Sequence, residues 1–184
     1  MSALTGAFEL DGGVGLRLVR PSDRDFLFRL FVDSRPWLSW VEGSRDFIHF
    51  LYEEQYKAMT VGQGSVYPEH MDLLIEHLGE AVGRVVVNLG YGNWRIAELQ
   101  IRAAAQGRGT GARVVRGLQA AAVRAGVPIT LSTPMHAFGA RQLYERLGFS
   151  VSSADGAAYQ LIWHPPGMMS GREDLPTSPL SRRA

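Results

Sequence analysis

The sequence predicts a single mixed α/β domain over residues 1–164, followed by a Pro/Ser/Gly-rich tail over 165–184 with little to bury. Three features carry that expectation. Runs of alternating or β-branched residues recur at "VGLRLVR" (14–20), between His70 and Ile101, and at "VPITLST" (127–133). Between and after them stand runs with apolar residues at helical spacing. Finally, "QGRGTG" (106–111) joins the end of one strand to the start of a helix, so that a βαβ unit follows an antiparallel meander.

The elements follow in order. After the first strand, "PSDRDFLFRLFVDS" reads as a helix, with Ser22 and Asp25 spaced as a capping box. "SRPWLSWVEG" (34–43) contains Pro36, Trp37 and Trp40 and reads as a connecting loop. A second helix begins near Ser44 and brings Phe47, Ile48, Leu51, Tyr52, Gln55, Tyr56 and Met59 to one side. "HMDLLIEH", "AVGRVVVNL" and "WRIAELQI" read as strands joined by tight turns at "LGE" and "GYGN". In "GARVVRGLQAAAVRAG" (111–126), Val114, Val115, Leu118, Ala121, Ala122 and Ala125 form an apolar stripe, Arg113, Arg116 and Arg124 form another, and Gly126 ends the helix. "VPITLST" suits a buried strand, expected to pair in parallel with "WRIAELQI". "HAFGARQLYERLGF" puts Ala140, Leu143, Tyr144 and Leu147 at i, i+3, i+4 and i+7, and "FSVSSADGAAYQLIWH" reads as two strands around a turn at Asp155-Gly156.

Composition narrows the function. With 184 residues and 46% hydrophobic content the chain is long enough for one real core. Lys and Arg total 19 against 18 Asp and Glu, a net charge of +1, and no long like-charged run marks a nucleic-acid or anionic-membrane partner. The absence of cysteine excludes disulfides, thiolate metal sites and a cysteine nucleophile, and it fits a reducing, cytoplasmic setting. No segment is apolar over the roughly 18 residues of a membrane span, and the N-terminus lacks a basic region followed by an apolar one.

Gly107, Gly109 and Gly111 bare the backbone where a strand meets a helix, an arrangement suited to a phosphate or pyrophosphate. A P-loop would need Gly-Lys-Ser/Thr, and the residues present are Gly109, Thr110 and Gly111. A dinucleotide fingerprint matches Gly107, Gly109 and Ala112, but the following strand carries no acidic residue for a ribose. A nucleotide-binding oxidoreductase is therefore the weaker reading, and a turn that merely bends is the bland one.

The spacing Gln-x-x-Gly-x-Gly from Gln106, with "ELQI" before it and "ARQLYERLGF" after the next strand, closely resembles the GNAT superfamily of acyl-CoA-dependent N-acyltransferases. The likeness in element order runs from about Val14 to about His164, and the specific motifs are confined to Glu98–Gly111 and Ala140–Phe149. It implies a central, mostly antiparallel sheet splayed between its fourth and fifth strands, with helices on its faces and acyl-CoA in the gap. Acetyl-CoA is the implied co-substrate, with no metal. Gln106, Gly107, Arg108, Gly109, Thr110 and Gly111 would wrap its pyrophosphate, with Gly109 and Gly111 sparing it a Cβ. The implied reaction is direct attack by a primary amine on the thioester, through a tetrahedral intermediate, with a small molecule, protein or peptide as acceptor.

Such chemistry needs an oxyanion donor, a way to deprotonate the amine and a donor for the sulfur. Ile101 matches the family position whose backbone N–H serves the oxyanion and lies against the cofactor. Tyr144 matches the tyrosine that faces the sulfur, although its spacing also fits a core position. Hydrogen-bond donation is its safer role, since full transfer from a phenol to a thiolate is uphill by about 2 kcal/mol. Glu98 stands where some members place a general base; it equally suits a solvated carboxylate on a polar strand face. A carboxylate lies about six pKa units below an alkylamine, roughly 8 kcal/mol, which burial or a relaying water must bridge. His136 and water are the other candidates. Where members often have Asn-Pro-Ala, this chain has Phe138, Gly139 and Ala140, and "AAA" (103–105) replaces a Pro-containing turn. These departures leave open a GNAT-fold module that binds acyl-CoA or a protein and catalyses little. Arg113 and Arg116 read as a solvated face, Trp37 and Trp40 as a wall of the acceptor site or a cover for the core. A homodimer is compatible with all of this; a nucleic-acid or membrane partner is not expected.

Overall fold

The computed structural model describes residues 7–66 and 70–168, so the expected tail lies outside the described residues from position 169 onward. Twelve regular elements follow one another: β1 (Ala7–Leu10), β2 (Val14–Leu18), α1 (Arg24–Asp33), α2 (Arg45–Val66), β3 (His70–His77), β4 (Glu80–Leu89), β5 (Trp94–Ile101), α3 (Thr110–Ala125), β6 (Ile129–Pro134), α4 (Phe138–Arg146), β7 (Ser150–Asp155) and β8 (Ala158–Trp163). They build one mixed sheet in the order β1-β2-β3-β4-β5-β6-β8-β7. The expected order of elements is present, with β1 added ahead of it. This four-residue strand is largely exposed, so its side chains carry no alternation by which the sequence would announce it.

The meander is antiparallel throughout, and its first hairpin turns on Leu78 and Gly79, both at positive φ (52° and 82°), as a two-residue hairpin turn demands. Val85 and Val87 join Val114, Val115, Ile129, Leu131 and Leu161 in the main core, while the intervening Val86 is equally buried. β4 is thus covered on both faces, which is why "VVV" is unbroken by a polar residue. Phe31, Leu38 and Tyr52 form a second cluster between α1, its connection and α2. Ser44 caps α2, its Oγ accepting the Phe47 N–H at 3.2 Å. On α2 the residues packed against that cluster are Ile48, Tyr56 and Met59; Phe47 stays exposed. Among the described residues no helix is long and apolar enough to cross a membrane.

The position of the site follows from one register. β5 and β6 pair in parallel, as expected, but only over Trp94–Ile96 and Ile129–Leu131. Beyond Ile96, β5 stays paired with β4 as far as Ile101, and β6 stays paired with β8 as far as Pro134. The two strands therefore part, and the expected splay between fourth and fifth strands falls between β5 and β6 once β1 is counted. The β4–β5 ladder shifts register where Val86 faces Glu98 and Val87 faces Ile96, leaving Ala97 as an extra residue. Such a bulge bends its strand and increases the twist. It stands immediately after the last residue paired with β6.

One expected local feature is corrected. Ser22 and Asp25 form no capping box; the residue that organises the start of α1 is Asp23, which accepts the Arg20 N–H at 2.7 Å. Its two oxygens also take the Arg17 guanidinium at 2.7 and 2.8 Å, and Arg17 reaches on to Glu76 at 2.7 Å. Hydrogen bonds from Arg17 hold the Asp23 carboxyl below its usual range, against an opposing desolvation. Asp23→Asn should lower the unfolding free energy by about 2 kcal/mol at neutral pH. The carboxylate's contribution is present above the unfolded-state value near pH 4 and disappears as pH falls through the depressed native value. Urea melts of the two proteins should therefore converge as pH falls through that depressed value.

Candidate functional site

The open edge of β5 is polar. The Arg102 N–H donates to the Val82 carbonyl at 2.9 Å, so by antiparallel alternation the N–H and C=O of Ile101 face away from β4, toward the side that β6 has left. The same alternation turns the backbone of Leu99 that way. Gln106 confirms the direction: its Nε2 donates to the Ile101 carbonyl at 2.8 Å. The Gln106 side chain thereby fastens the glycine loop to the strand end. At Gly83, opposite Ile101, a Cβ would collide with the Gln100 carbonyl and Ile101 Cδ1, so only glycine lets the two strands approach there.

Gly107 and Gly109 have φ values of 74° and 78°, in the left-handed region, and Gly109 is the N-cap of α3. The first-turn N–H groups of an α-helix have no partner within it, and they lie at the positive end of its dipole. The conformational need for glycine thus falls on 107 and 109. At Gly111, whose φ is ordinary, an added Cβ would meet Leu143 Cδ2 at 3.9 Å and Ile101 Cγ1 and Leu99 Cδ2 at 4.0 Å, all ordinary contacts. Those same distances show that the start of α3, the end of β5 and the residue before Tyr144 converge. Arg113 is half-buried and partnered: its Nη1 donates to the Arg108 carbonyl at 2.7 Å, and a Cβ on Gly12 would strike its Nε. It braces the loop from outside.

Tyr144 is 9% exposed on the apolar side of α4 and packs edge-on to Phe149 with ring centroids 5.7 Å apart. Its hydroxyl makes no hydrogen bond among the described residues. Burial pushes its pKa up to about 12. Transfer of its proton to a thiolate of pKa about 8.5 is then uphill by roughly 5 kcal/mol, so the phenol can donate a hydrogen bond and stay neutral.

Glu98 and Gln100 belong to the opposite face of β5. Glu98 is neither free nor solvated: its Oε2 takes Arg84 Nη1 and Gln63 Nε2, each at 3.1 Å, and its Oε1 takes Gln100 Nε2 at 2.7 Å. Arg84, with 5% of its side chain exposed, pairs in turn with both oxygens of Asp72 at 2.7 Å. A buried arginine survives only when paired, so Asp72 and Glu98 are what allow a cation in the middle of "AVGRVVVNL". Sequence reasoning passed over Arg84, Gln100 and Ser34; the lone cation in an apolar strand was the available signal. A cleft of about 240 Å³ opens beside this group, between Leu30, Asp33 and Ser34 of α1 and its end, residues 99–101 of β5, and Arg102, Ala103 and Gln106 beyond it. His136 is exposed in the turn between β6 and α4. Trp37 and Trp40 do not cover core; Trp40 is 77% exposed.

Residues 24–149 match the family described as Acetyltransferase (GNAT) family. The chain belongs to that family. It is accordingly an acyl-CoA-dependent N-acetyltransferase. Comparison with curated protein sequences returns no match. Among solved structures, this GNAT chain is similar in fold to the PaiA N-acetyltransferase of Thermoplasma acidophilum in complex with coenzyme A, at 13% identity and a TM-score of 0.64, covering 82% of this chain and 98% of that one. It is similar to an acetyltransferase of Salmonella typhimurium that modifies the N-terminal serine of ribosomal protein L7/L12, at 15% identity and a TM-score of 0.61, covering 85% and 95%. It is also similar to the spermidine N-acetyltransferase of Vibrio cholerae in complex with CoA and spermine, at 16% identity and a TM-score of 0.58, covering 84% and 96%.

The buried phenol of this GNAT chain has a thermodynamic signature. Above about pH 10 the unfolded tyrosine ionises while the native one does not, so stability is lost between pH 10 and the native value near 12. Tyr144→Phe should abolish a loss on the order of 2–3 kcal/mol in that window and leave stability between pH 6 and 9 within about 1 kcal/mol. Denaturant titrations across the alkaline range measure it.

Proposed function

We propose that this GNAT chain transfers an acetyl group from acetyl-CoA to a primary amine by direct attack, with the donor in the gap between β5 and β6. The observation that carries the reading is the parting of these strands after Ile96, beside a helix N-terminus turned by glycines at positive φ. The residues present fit the ligand. Gln106 anchors the loop, and the backbone N–H groups of residues 107–111 face an anion with no Cβ at 107 or 109. Acetyl-CoA supplies an activated thioester, and the chain's own groups do the rest. The Ile101 N–H, directed to the open edge, receives the developing oxyanion. The neutral Tyr144 hydroxyl donates to the departing sulfur. The acceptor enters from the α1 side, past Ser34 and Gln100. The solved neighbours that act on a protein N-terminus and on spermidine make an α-amino group and a polyamine the two acceptor classes to try first.

Calorimetric titration with acetyl-CoA, with NAD as control, tests the donor. Micromolar binding of acetyl-CoA and none of NAD is the expected outcome; the reverse would sink the reading. Gly109→Ala should keep the fold but weaken acetyl-CoA binding by about tenfold, because the left-handed conformation becomes strained. Tyr144→Phe should leave acetyl-CoA affinity nearly intact and lower turnover by at least about tenfold, read as thiol release with spermidine or a serine-opening peptide. Acetyl-CoA binding without thiol release across an amine panel would instead identify a binding module.

A further inference from the structure

Gln100 lines the cleft next to Ile101, and its two N–H bonds are both committed. One goes to Glu98 Oε1 at 2.7 Å and the other to Ser34 Oγ at 3.3 Å. A carboxylate only accepts, so the carboxamide atom against Glu98 has to be nitrogen, and the amide cannot be turned over without putting two oxygens in contact. The Arg84 guanidinium and Gln63 in turn hold Glu98 in place, with Arg84 clamped by Asp72. Across this chain of contacts the one polar atom left over is the Gln100 carboxamide oxygen, which has no hydrogen-bond partner among the described residues. Asp33, at the same cleft, makes no ion pair among them and adds a negative potential that favours an incoming ammonium.

We propose that the Gln100 carboxamide oxygen is the group that receives the N–H of the acceptor amine, and that Glu98 is a positioning residue acting through Gln100. The inference rests on the acetyltransferase reading and adds the acceptor subsite to it. An oxygen accepts from an amine in both its protonation states, so the contact survives deprotonation and holds the nitrogen beside the Ile101 N–H through attack.

The test uses the full chain with acetyl-CoA and, as amine probes, spermidine and a serine-opening peptide. Gln100→Leu should raise the KM for the amine by about tenfold or more, the loss of one hydrogen bond to a charged group, and leave the acetyl-CoA dissociation constant within about twofold. Glu98→Gln, whose amide lets Gln100 turn over, should raise the amine KM similarly and keep the shape of the pH–kcat profile. An unchanged amine KM in Gln100→Leu overturns the proposal. So does a Glu98→Gln variant that loses kcat and the acid limb of its profile at constant KM, the behaviour of a general base. A readout without turnover is the side-chain amide proton resonances of Gln100, identified by their absence in Gln100→Leu. They should lie away from free-glutamine positions in the unsubstituted protein and move toward them in Glu98→Gln; resonances that do not move contradict the arrangement. Failure to bind acetyl-CoA at all would strike the acetyltransferase reading, which calorimetry tells apart from these outcomes.

Discussion

A parallel ladder of only three residue pairs, Trp94–Ile96 with Ile129–Leu131, controls what this molecule can do. Past it each strand keeps its outer partner and loses its inner one, so backbone donors and acceptors face each other across an opening. A peptide group left without a partner costs about 1–3 kcal/mol when it is shut away from water, so this opening has to be wet or filled. An extended ligand bearing amides, such as the pantetheine arm of coenzyme A, can supply partners to the strand edge. The extra residue at Ala97 is what makes the separation abrupt, because a bulge turns the strand within one residue where a regular ladder would drift.

The pleat of β5 then divides labour between its faces. Leu99 and Ile101 send their side chains toward the start of α3, where a Cβ on Gly111 would touch both of them and Leu143 of α4. Glu98 and Gln100 send theirs toward α1 and α2, into the group formed with Arg84, Asp72, Gln63 and Ser34. On the proposed reading, donor and acceptor groups are therefore built on one strand, on opposite faces, and meet at its end. Arg84 ties the arrangement to the core: its charge is tolerable in the middle of β4 only while Asp72 and Glu98 neutralise it, so an acceptor-side geometry is enforced by the cost of breaking a buried pair.

The sequence made legible those parts whose cause is local or periodic. The helix over Thr110–Ala125 announces itself by an apolar stripe and by Gly126, and the parallel pairing of "WRIAELQI" with "VPITLST" follows from the βαβ order. The glycine loop was legible as a strand-to-helix turn, but which glycines the conformation needs was not: positive φ falls on 107 and 109, and nothing in the letters separates them from 111. Ala7–Leu10 escaped because a short exposed edge strand has no burial pattern. Asp23 escaped because its partner Arg17 sits on another element, and the Ser22–Asp25 spacing offered a nearer explanation. The Glu98–Arg84–Asp72 group is the same case at larger scale, spanning β3, β4 and β5; contacts across a sheet leave no mark in any one segment beyond a charge in an apolar run.

Proton bookkeeping closes the chemical picture. Tyr144, pushed to about 12, holds its proton and takes none. Both oxygens of Glu98 already accept hydrogen bonds, from Arg84, Gln63 and Gln100. The Gln100 oxygen can accept a hydrogen bond without removing the proton behind it. On the proposed reading, proton removal passes to water in the cleft or to the bulk before the amine arrives, and the acceptor's own acidity sets the cost. A peptide α-amino group of pKa about 8 is about half deprotonated at pH 8, whereas an alkylamine of about 10.4 starts roughly 3 kcal/mol behind it. An acceptor subsite of the kind proposed at Ser34 and Gln100 would select partly by shape and partly by how readily the amine sheds a proton.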